Sequence, residues 1–414
     1  MKMNEYMERT EQVVLHTYNR FPVVFEKGEG VHLYDTEGKE YLDFGAGIAV
    51  FALGYHYADY DQALKDQIDK VIHTSNLFYN VPMMEAAEKL VKASGMSKVF
   101  FTNSGTEAIE GAIKAARKYA WNKDHATDHE IIAMNHSFHG RSIGALSVTG
   151  NAHYRTPFNP LLPGVRFANF NDLDSVKALL EQAPGQVAAV IVEPVAANMG
   201  VVPPKKGFLE GLRSLCTKHG ALLIFDEVIT GFRLAFGGAA EYFGVTPDMV
   251  TYGKIIGAGM PVGAYGGKKE IMEMVSPAGP VYQAGTLSGN PIAMAAGLTQ
   301  LKYLYEHQEV YKELEEKGEK LYGGIEQILK EYKKPYHVNH VSSLGSLFFT
   351  ENEVVDYTSA KTSDTKAFAD YFLAMLKSGI HLAPSQFEAM FLSTAHTDAV
   401  IENTLSKVRE YFMK

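Results

Sequence analysis

The stretch KVFFTNSGTEAIEGAIKAARKYA, residues 98–120, sets the reading of the whole chain. Five residues of strand-forming type run without a break into Asn103-Ser104-Gly105-Thr106, and a helical pattern rich in alanine follows at once. A strand that feeds straight into a helix is the first half of a crossover between parallel strands. The same unit recurs outward from it: EIIAM (130–134), VAAVIV (187–192) and ALLIF (221–225) are short, apolar throughout and separated by helical segments. Strands apolar on both faces must be covered on both faces, which predicts an α/β protein with a mainly parallel sheet. In such sheets ligands bind beyond the carboxyl ends of the strands.

At both ends of the chain the pattern changes. Ahead of residue 56, a polar helix is followed by VHLYDTEGKEYLDF (31–44), two strand-forming runs about Thr36-Glu37-Gly38, read as a hairpin. From about 292 to 332 the chain reads as long helix, and the remainder mixes short strands with helices. The expected division is 1–55 as an N-terminal segment packing with a small domain, 56–304 as the large domain, and 305–414 as the C-terminal small domain. With 414 residues the chain exceeds one ordinary core.

Composition narrows the function classes. A net charge of −9, spread along the chain, argues against a nucleic-acid partner. No apolar run is long enough to span a bilayer, and MKMNEYMERTEQVV lacks the apolar core of a secretory signal. Cys216 is the only cysteine, so neither an intrachain disulfide nor a Cys-rich metal site is expected. In LRSLCTKHG it reads as a small buried helix residue. A cytoplasmic location is expected, with no membrane or metal partner.

Three strand ends carry the chemistry together. In NSGT, a glycine at a strand-to-helix turn lets backbone amides face a phosphate, and the helix N-terminus favours its charge. The plainer alternative is an ordinary Ser/Thr cap. In ALLIFDEVITGFR (221–233), Asp226 ends an apolar strand, where an ionised carboxylate needs a strong partner or a task. One such task is to hold a pyridinium nitrogen protonated, which makes the ring an electron sink; the alternative is a structural cap. In MVTYGKIIGAGMPVGAYGG (249–267), Lys254 sits among Tyr252, Ile255 and Ile256, ahead of a glycine-rich loop. Desolvation there would lower its pKa and free the amine for Schiff-base chemistry; the alternative is a lysine that reaches into solvent. A phosphate cradle, a pyridinium partner and an aldehyde-capturing amine are the three parts that bound pyridoxal 5′-phosphate needs.

NSGTEA, HSFHGR, VEP, FDEV, the lysine of GKIIGAGMPVGA and GTLSGNP resemble the class III (subgroup II) aminotransferases of PLP fold type I, over roughly residues 12–410. The resemblance implies that Ser104, Gly105 and Thr106 hold the cofactor phosphate and that Phe138 stacks on the ring. Asp226 would meet the ring nitrogen, Lys254 would bond the aldehyde, and Val228 and Asn198 would belong to the cofactor shell. It also implies a homodimer with shared active sites, in which Thr286 of QAGTLSGNP reaches the phosphate of the neighbouring subunit.

Within that family the chain faces two ways. HTYNRFPVVFEKGEG, LDFGAGIAVFALGY and HSFHGRSIGALSVTG, all ahead of about residue 185, resemble acetylornithine/ornithine aminotransferases. From about residue 187, VIVEPVAANMGVVPP, FDEVITGFR, PVGAYGGKKEIMEMVSPAGPVYQAGTLSGNP and APSQFEA resemble glutamate-1-semialdehyde 2,1-aminomutase. By the first resemblance Arg141 holds a substrate carboxylate, a task suited to a guanidinium fork, and Tyr18 lines the substrate pocket. By the second, Asn198 stands where ornithine-type enzymes carry a glutamate, Ile229 replaces their glutamine, and Glu388 replaces their second carboxylate-binding arginine. The segment IGALSVTGNAHYRTPFNPLL (143–162) lacks the aminomutase's glycine-rich lid. That ranks an aminotransferase first, acting between an acetylornithine- or ornithine-like donor and an oxo acid or aldehyde, with aminomutase-type transfer as the alternative.

Overall fold

The segment ahead of the α/β pattern supplies the first three strands of the computed structural model, which describes residues 3–414. They are β1 (Phe25–Glu29), β2 (His32–Asp35) and β3 (Glu40–Asp43). β2 and β3 form the expected antiparallel hairpin. Its turn closes because Asp35 Oδ1 accepts from the amides of Glu37 and Lys39, while Gly38 takes the left-handed backbone.

The chain then lays down β4 (Lys98–Thr102), β5 (Glu130–Met134), β6 (Val165–Ala168), β7 (Val187–Val192), β8 (Leu222–Asp226), β9 (Met249–Tyr252) and β10 (Gly263–Gly267). They make one sheet of order β4-β10-β9-β8-β7-β5-β6. The pairs β5/β6, β5/β7, β7/β8 and β8/β9 are parallel, as the apolar strands predict. β10 alone runs antiparallel to both its neighbours. The end of the glycine-rich stretch, expected as loop, is instead a fully buried strand. Packing explains its composition: a Cβ on Gly263 would meet the Ser104 carbonyl oxygen at 2.1 Å.

Helix Gly105–Asp124 lies across this sheet on a face of small residues. Ala108, Ala112, Ala115 and Ala116 are buried, and a side chain on Gly111 would collide with the Tyr265 ring. Ile109 and Ile113 fill the remaining space, each stabilising the layer by about 1.5–3 kcal/mol on burial. Cys216 is wholly buried in helix Phe208–His219, and burial pushes its thiol up to about 12. The long helix expected near 292–332 is broken after Glu306 into Pro291–Glu306 and Val310–Gly318, with a π turn over Glu319–Gly323 before Gly324–Glu331. His307 caps the first piece with a non-helical backbone.

The end of the chain adds β11 (His337–Val341), β12 (Leu344–Phe348), β13 (Ile380–His381) and β14 (Met390–Phe391). β11, β12 and β14 form a three-stranded sheet, while β13 pairs parallel with β3. Both ends of the chain therefore share one sheet, and one apolar cluster runs from Val31 and Phe44 to Phe412. No helix among the described residues is long and apolar enough to cross a membrane.

Asp43 ties this seam. Its buried carboxylate accepts from the amides of Gly45 and Ala46, from Tyr55 Oη at 2.7 Å, and sits 2.8 Å from His381 Nδ1 on β13. Burial opposes its charge, but the His381, Tyr55 and Gly45 hydrogen bonds outweigh that and hold its pKa below the usual carboxylate value. Asp43→Ala is expected to lower stability by about 3–5 kcal/mol at neutral pH in urea unfolding. A carboxylate depressed in the folded state contributes stability above its unfolded pKa and loses it as pH falls through the folded value. The gap between parent and variant should therefore narrow below about pH 4.

Candidate active site

The sheet delivers its functional groups at the carboxyl ends of neighbouring strands. β4 ends at Thr102, and Ser104 caps helix Gly105–Asp124, its Oγ accepting from the Glu107 amide at 3.2 Å. Capping and anion binding coexist here, because the first helical amides, those of Gly105 and Thr106, have no partner within a helix. Two other loops close on this turn. A Cβ on Gly105 would lie 2.8 Å from Val228, and one on Gly253 would lie 3.2 Å from Val228 and 3.4 Å from Gly105. A Cβ on Gly140 would lie 2.5 Å from Thr106 Oγ1. The glycines thus bring the β4, β5, β8 and β9 loops to one place.

β9 ends at Tyr252 and Lys254 follows on a short 3-10 turn with φ +50°, a left-handed backbone that costs a lysine about 1–3 kcal/mol. Outliers of this kind persist where their surroundings fix them. Burial lowers the Lys254 pKa to about 8, against the pull of Asp226 and Glu193. Its amine has no hydrogen-bond partner among the described residues. It is not a lysine stretched into solvent.

Asp226 closes β8 and is buried. One oxygen lies 2.6 Å from His139 Nδ1; the other accepts from the Val228 amide at 3.1 Å and from Thr251 Oγ1 at 3.3 Å. The His139 ring is fully buried and its Nε2 has no partner. Burial disfavours the charged ring, yet the hydrogen bond to Asp226 and the charges of Asp226 and Glu193 raise its pKa. Glu193 accepts from the Phe138 amide at 3.0 Å and from Asn198 Nδ2 at 2.9 Å, and burial raises its pKa. His139 and Glu193 were not singled out in the sequence. Each lies inside a quoted motif, HGR or VEP, and an alternating burial pattern does not reveal a polar group buried by a neighbouring loop.

The substrate side is more open. Arg141 is exposed, with its guanidinium 5.0 Å over the Phe138 ring. Glu388 is partly buried on the loop before β14; burial raises its pKa, while the charges of Lys254 and Arg141 act on it in the other direction. Those mutual effects bring Glu388, Lys254 and Arg141 into one electrostatic neighbourhood. Ile229 packs into the apolar cluster beneath, with Val195 and Phe391. Tyr18 and Thr286 are exposed and make no hydrogen bond to these residues. A polar cleft of about 420 Å³, lined by Asn135, His136, Asp172, Lys205 and Tyr357, holds none of Lys254, Asp226 or Arg141. Chemistry rather than volume locates the site.

The donor set fits pyridoxal phosphate. Unpaired helix amides suit a dianion, an aromatic face stands beside them, a buried carboxylate is already oriented by His139, and a buried amine awaits an aldehyde. No group of three or more His, Cys, Asp and Glu residues suited to a metal ion occurs among the described residues.

Comparison with known proteins agrees with this chemistry. The family model described as aminotransferase class-III matches residues 13–408. Glutamate-1-semialdehyde 2,1-aminomutase 1 of Lachnoclostridium phytofermentans is 49% identical over 397 residues, covering 93% of this chain and 90% of that protein. The glutamate-1-semialdehyde 2,1-aminomutase of Acetivibrio thermocellus is 48% identical over 403 residues, covering 95% and 91%. In three dimensions the chain is similar to the ornithine aminotransferase of Toxoplasma gondii ME49, with a TM-score of 0.89 and 26% identity, over 100% of this chain and 95% of that one. The two resemblances read from the sequence therefore both recur.

The depressed Lys254 pKa has a direct test without cofactor. In the apoprotein the Lys254 amine should react with an acylating reagent with a midpoint near pH 8. Exposed lysines should follow about 10.4. Peptide mass spectrometry across pH 6–11 (about five points) separates the two classes; a Lys254 profile that coincides with the exposed lysines would refute the desolvation argument.

Proposed function

The chain belongs to the class III aminotransferases, enzymes that depend on pyridoxal phosphate, and within that family we propose that it moves an amino group on glutamate 1-semialdehyde or a close analogue, in the manner of a 2,1-aminomutase. The observation that supports this most is the charge pattern of the open side, with Arg141 and Glu388 both acting near Lys254. The names of the relatives support it as well. The order of preference read from the sequence, aminotransferase first, is thereby reversed.

Pyridoxal phosphate, when bound, supplies a conjugated pyridinium that withdraws electrons from the substrate's amine-bearing carbon. The protein's own residues do the rest. Gly105 and Thr106 amides, with Ser104, bind the phosphate, and Phe138 covers one face of the ring. Asp226 keeps a proton at the ring nitrogen, because its carboxylate is fixed by His139 and Thr251 and cannot turn away. Val228, packed against Gly105, and Asn198, bonded to Glu193, would complete the shell that holds the ring. Lys254 is the residue whose amine would hold the cofactor aldehyde, and its unprotonated nitrogen is the base available to take and return a proton at the substrate carbon. A pKa near 8 leaves enough of both protonation states for that shuttle.

Arg141 clamps the substrate carboxylate by a paired hydrogen bond. Glu388 favours an ammonium or neutral group at the other end and repels a second carboxylate by roughly 1–4 kcal/mol, between the aqueous and near-surface limits. A substrate with one carboxylate and adjacent amine and aldehyde carbons meets both demands; dicarboxylates do not. On this reading the active unit is a homodimer, with the exposed Thr286 turned to the phosphate of the second subunit and Tyr18 to a substrate pocket.

One observation favours a second reading, transamination from an ornithine-like donor. The segment after Arg141 forms helix Ile143–Val148, and Glu110 Oε1 accepts from Ser142 Oγ and from the amides of Gly144 and Ala145. A segment pinned this way retains a diamino intermediate less well than a mobile lid does.

One set of assays separates the readings. Holoenzyme given glutamate 1-semialdehyde alone should form 5-aminolevulinate over many turnovers, without an added oxo acid. Dependence on 2-oxoglutarate, with ornithine as the better donor, would instead establish the second reading. Lys254→Ala should abolish turnover in either case. Glu388→Arg should raise kcat/KM for glutamate by about 5- to 900-fold, the range set by the repulsion above. Arg141→Ala should weaken every carboxylate substrate; no change in either variant would remove both residues from the pocket.

A further inference from the structure

Helix Pro291–Glu306 crosses the back of the turn that carries Lys254, and one buried polar side chain on it has no role in the site described so far. Gln300 is 3% exposed and makes three hydrogen bonds to backbone groups of two separate segments. Its Oε1 accepts from the Ala52 amide at 2.9 Å; its Nε2 donates to the Val50 carbonyl at 3.3 Å and to the Ile255 carbonyl at 2.8 Å. One turn earlier on the same face, a Cβ on Gly297 would lie 1.9 Å from the Ile256 carbonyl oxygen, so the helix sits directly against the Lys254 turn.

Both segments that Gln300 joins are held in unfavourable backbone. Ala46, Gly47, Ile48 and Ala49 are left-handed in succession, with φ between +49° and +66°, and Lys254 is left-handed at +50°. Single residues visit this region; a run containing a β-branched side chain stays there only when outside contacts impose it. The contacts are visible. Arg233, wholly buried, donates to the Ala49 carbonyl at 3.0 Å and to the Leu392 carbonyl at 3.1 Å, which binds the strained turn to the terminal sheet. Gln300 then carries the turn's position to the residue beside Lys254. Phe51 adds a second touch, since a Cβ on Gly259 would lie 3.3 Å from its ring.

We propose that Gln300 is a positioning residue for Lys254: it locks the lysine's left-handed backbone to the 46–52 turn, so that the amine is aimed only when that turn is docked. The inference rests on the role given to Lys254 above. A lysine that must first hold an aldehyde and then withdraw to move a proton needs a fixed pivot, and its backbone, not its side chain, supplies one. Methionine in place of Gln300 keeps the volume and removes all three bonds.

The test uses cofactor-loaded enzyme in three forms: parent, Gln300→Met, and Asp248→Asn. Asp248 lies just before β9, at its far end from Lys254, where it pairs with Arg213 at 2.7 Å and Lys268 at 2.5 Å. It therefore reports the effect of a lost buried polar contact with no tie to the lysine. In Gln300→Met, the rate at which an amine substrate displaces Lys254 should fall about 10- to 100-fold with substrate KM unchanged. The pH midpoint of the cofactor–lysine absorbance band should move, and amide hydrogen exchange should speed up together in peptides spanning 46–52 and 253–258. Asp248→Asn should lose stability and change none of the three. If Gln300→Met does not fold, Gln300→Leu, which also removes the three bonds without burying a charge, should show the same changes. Borohydride reduction of the parent followed by peptide mapping separates the two layers of argument. Label on a different lysine overturns the reading of Lys254 and this inference with it. Label on Lys254, with absorbance midpoint, displacement rate and exchange all like the parent, overturns the role of Gln300 alone.

Discussion

The structure turns on keeping a lysine amine and a carboxylate buried near one another without letting them neutralise each other. Asp226 is held by His139, Val228 and Thr251, so its oxygens are occupied by donors of the protein. Lys254 lies on the turn just after the next strand of the sheet, desolvated and without a hydrogen-bond partner among the described residues. The Asp226 charge still acts on Lys254, but burial outweighs it and leaves the amine more readily unprotonated than an exposed lysine. The cost of the arrangement is spread over the fold: parallel strands buried on both faces, glycines that let four loops converge, and a strained backbone at the lysine itself.

That constraint explains which parts were legible in the sequence. β5, β7 and β8 were visible because a strand buried on both faces is apolar almost throughout, and Asp226 stood out as the charge ending one of them. β10 was not visible, since its glycines follow from close approach of the Ser104 carbonyl rather than from strand propensity. β1 and β13 were missed for a related reason. Edge and two-residue strands are fixed by their partners, and β13 finds its partner more than 300 residues away. Strand pairing at that distance leaves no local pattern.

The site divides in the same way. Ser104, Gly105, Thr106, Asp226 and Lys254 were readable because each sits at the end of a recognisable element. His139, Glu193 and Gln300 were not, because their importance lies in what they touch. Gln300 occupies an ordinary position in a helical pattern, and His139 in sequence is one of several histidines near a turn. Only the fold shows that the first is bonded to three backbone groups and the second to the carboxylate. Burial turned these polar side chains into positioning groups.

The open side of the site carries the remaining argument. Most of the cofactor shell is partly buried and common to both kinds of relative, so family membership alone says little about outcome. On the proposed function specificity would rest on the rim, where exposed Arg141 comes from the segment that resembles ornithine-type aminotransferases and partly buried Glu388 from the part that resembles aminomutases. In an aminotransferase two cations at these places would receive a dicarboxylate; here one of them is an anion, and burial raises its pKa without removing it from the influence of Lys254 and Arg141. On the proposed function, opposite charges at Arg141 and Glu388 would select a substrate that is itself polar along its length, with the carboxylate at the Arg141 end. A molecule in which amine and carbonyl lie on adjacent carbons can then present either one to Lys254 by a small rotation about a fixed carboxylate. On that proposal the clamp and the counter-charge together would favour exchange within one molecule over exchange between two, while the pinned 143–148 helix weighs the other way.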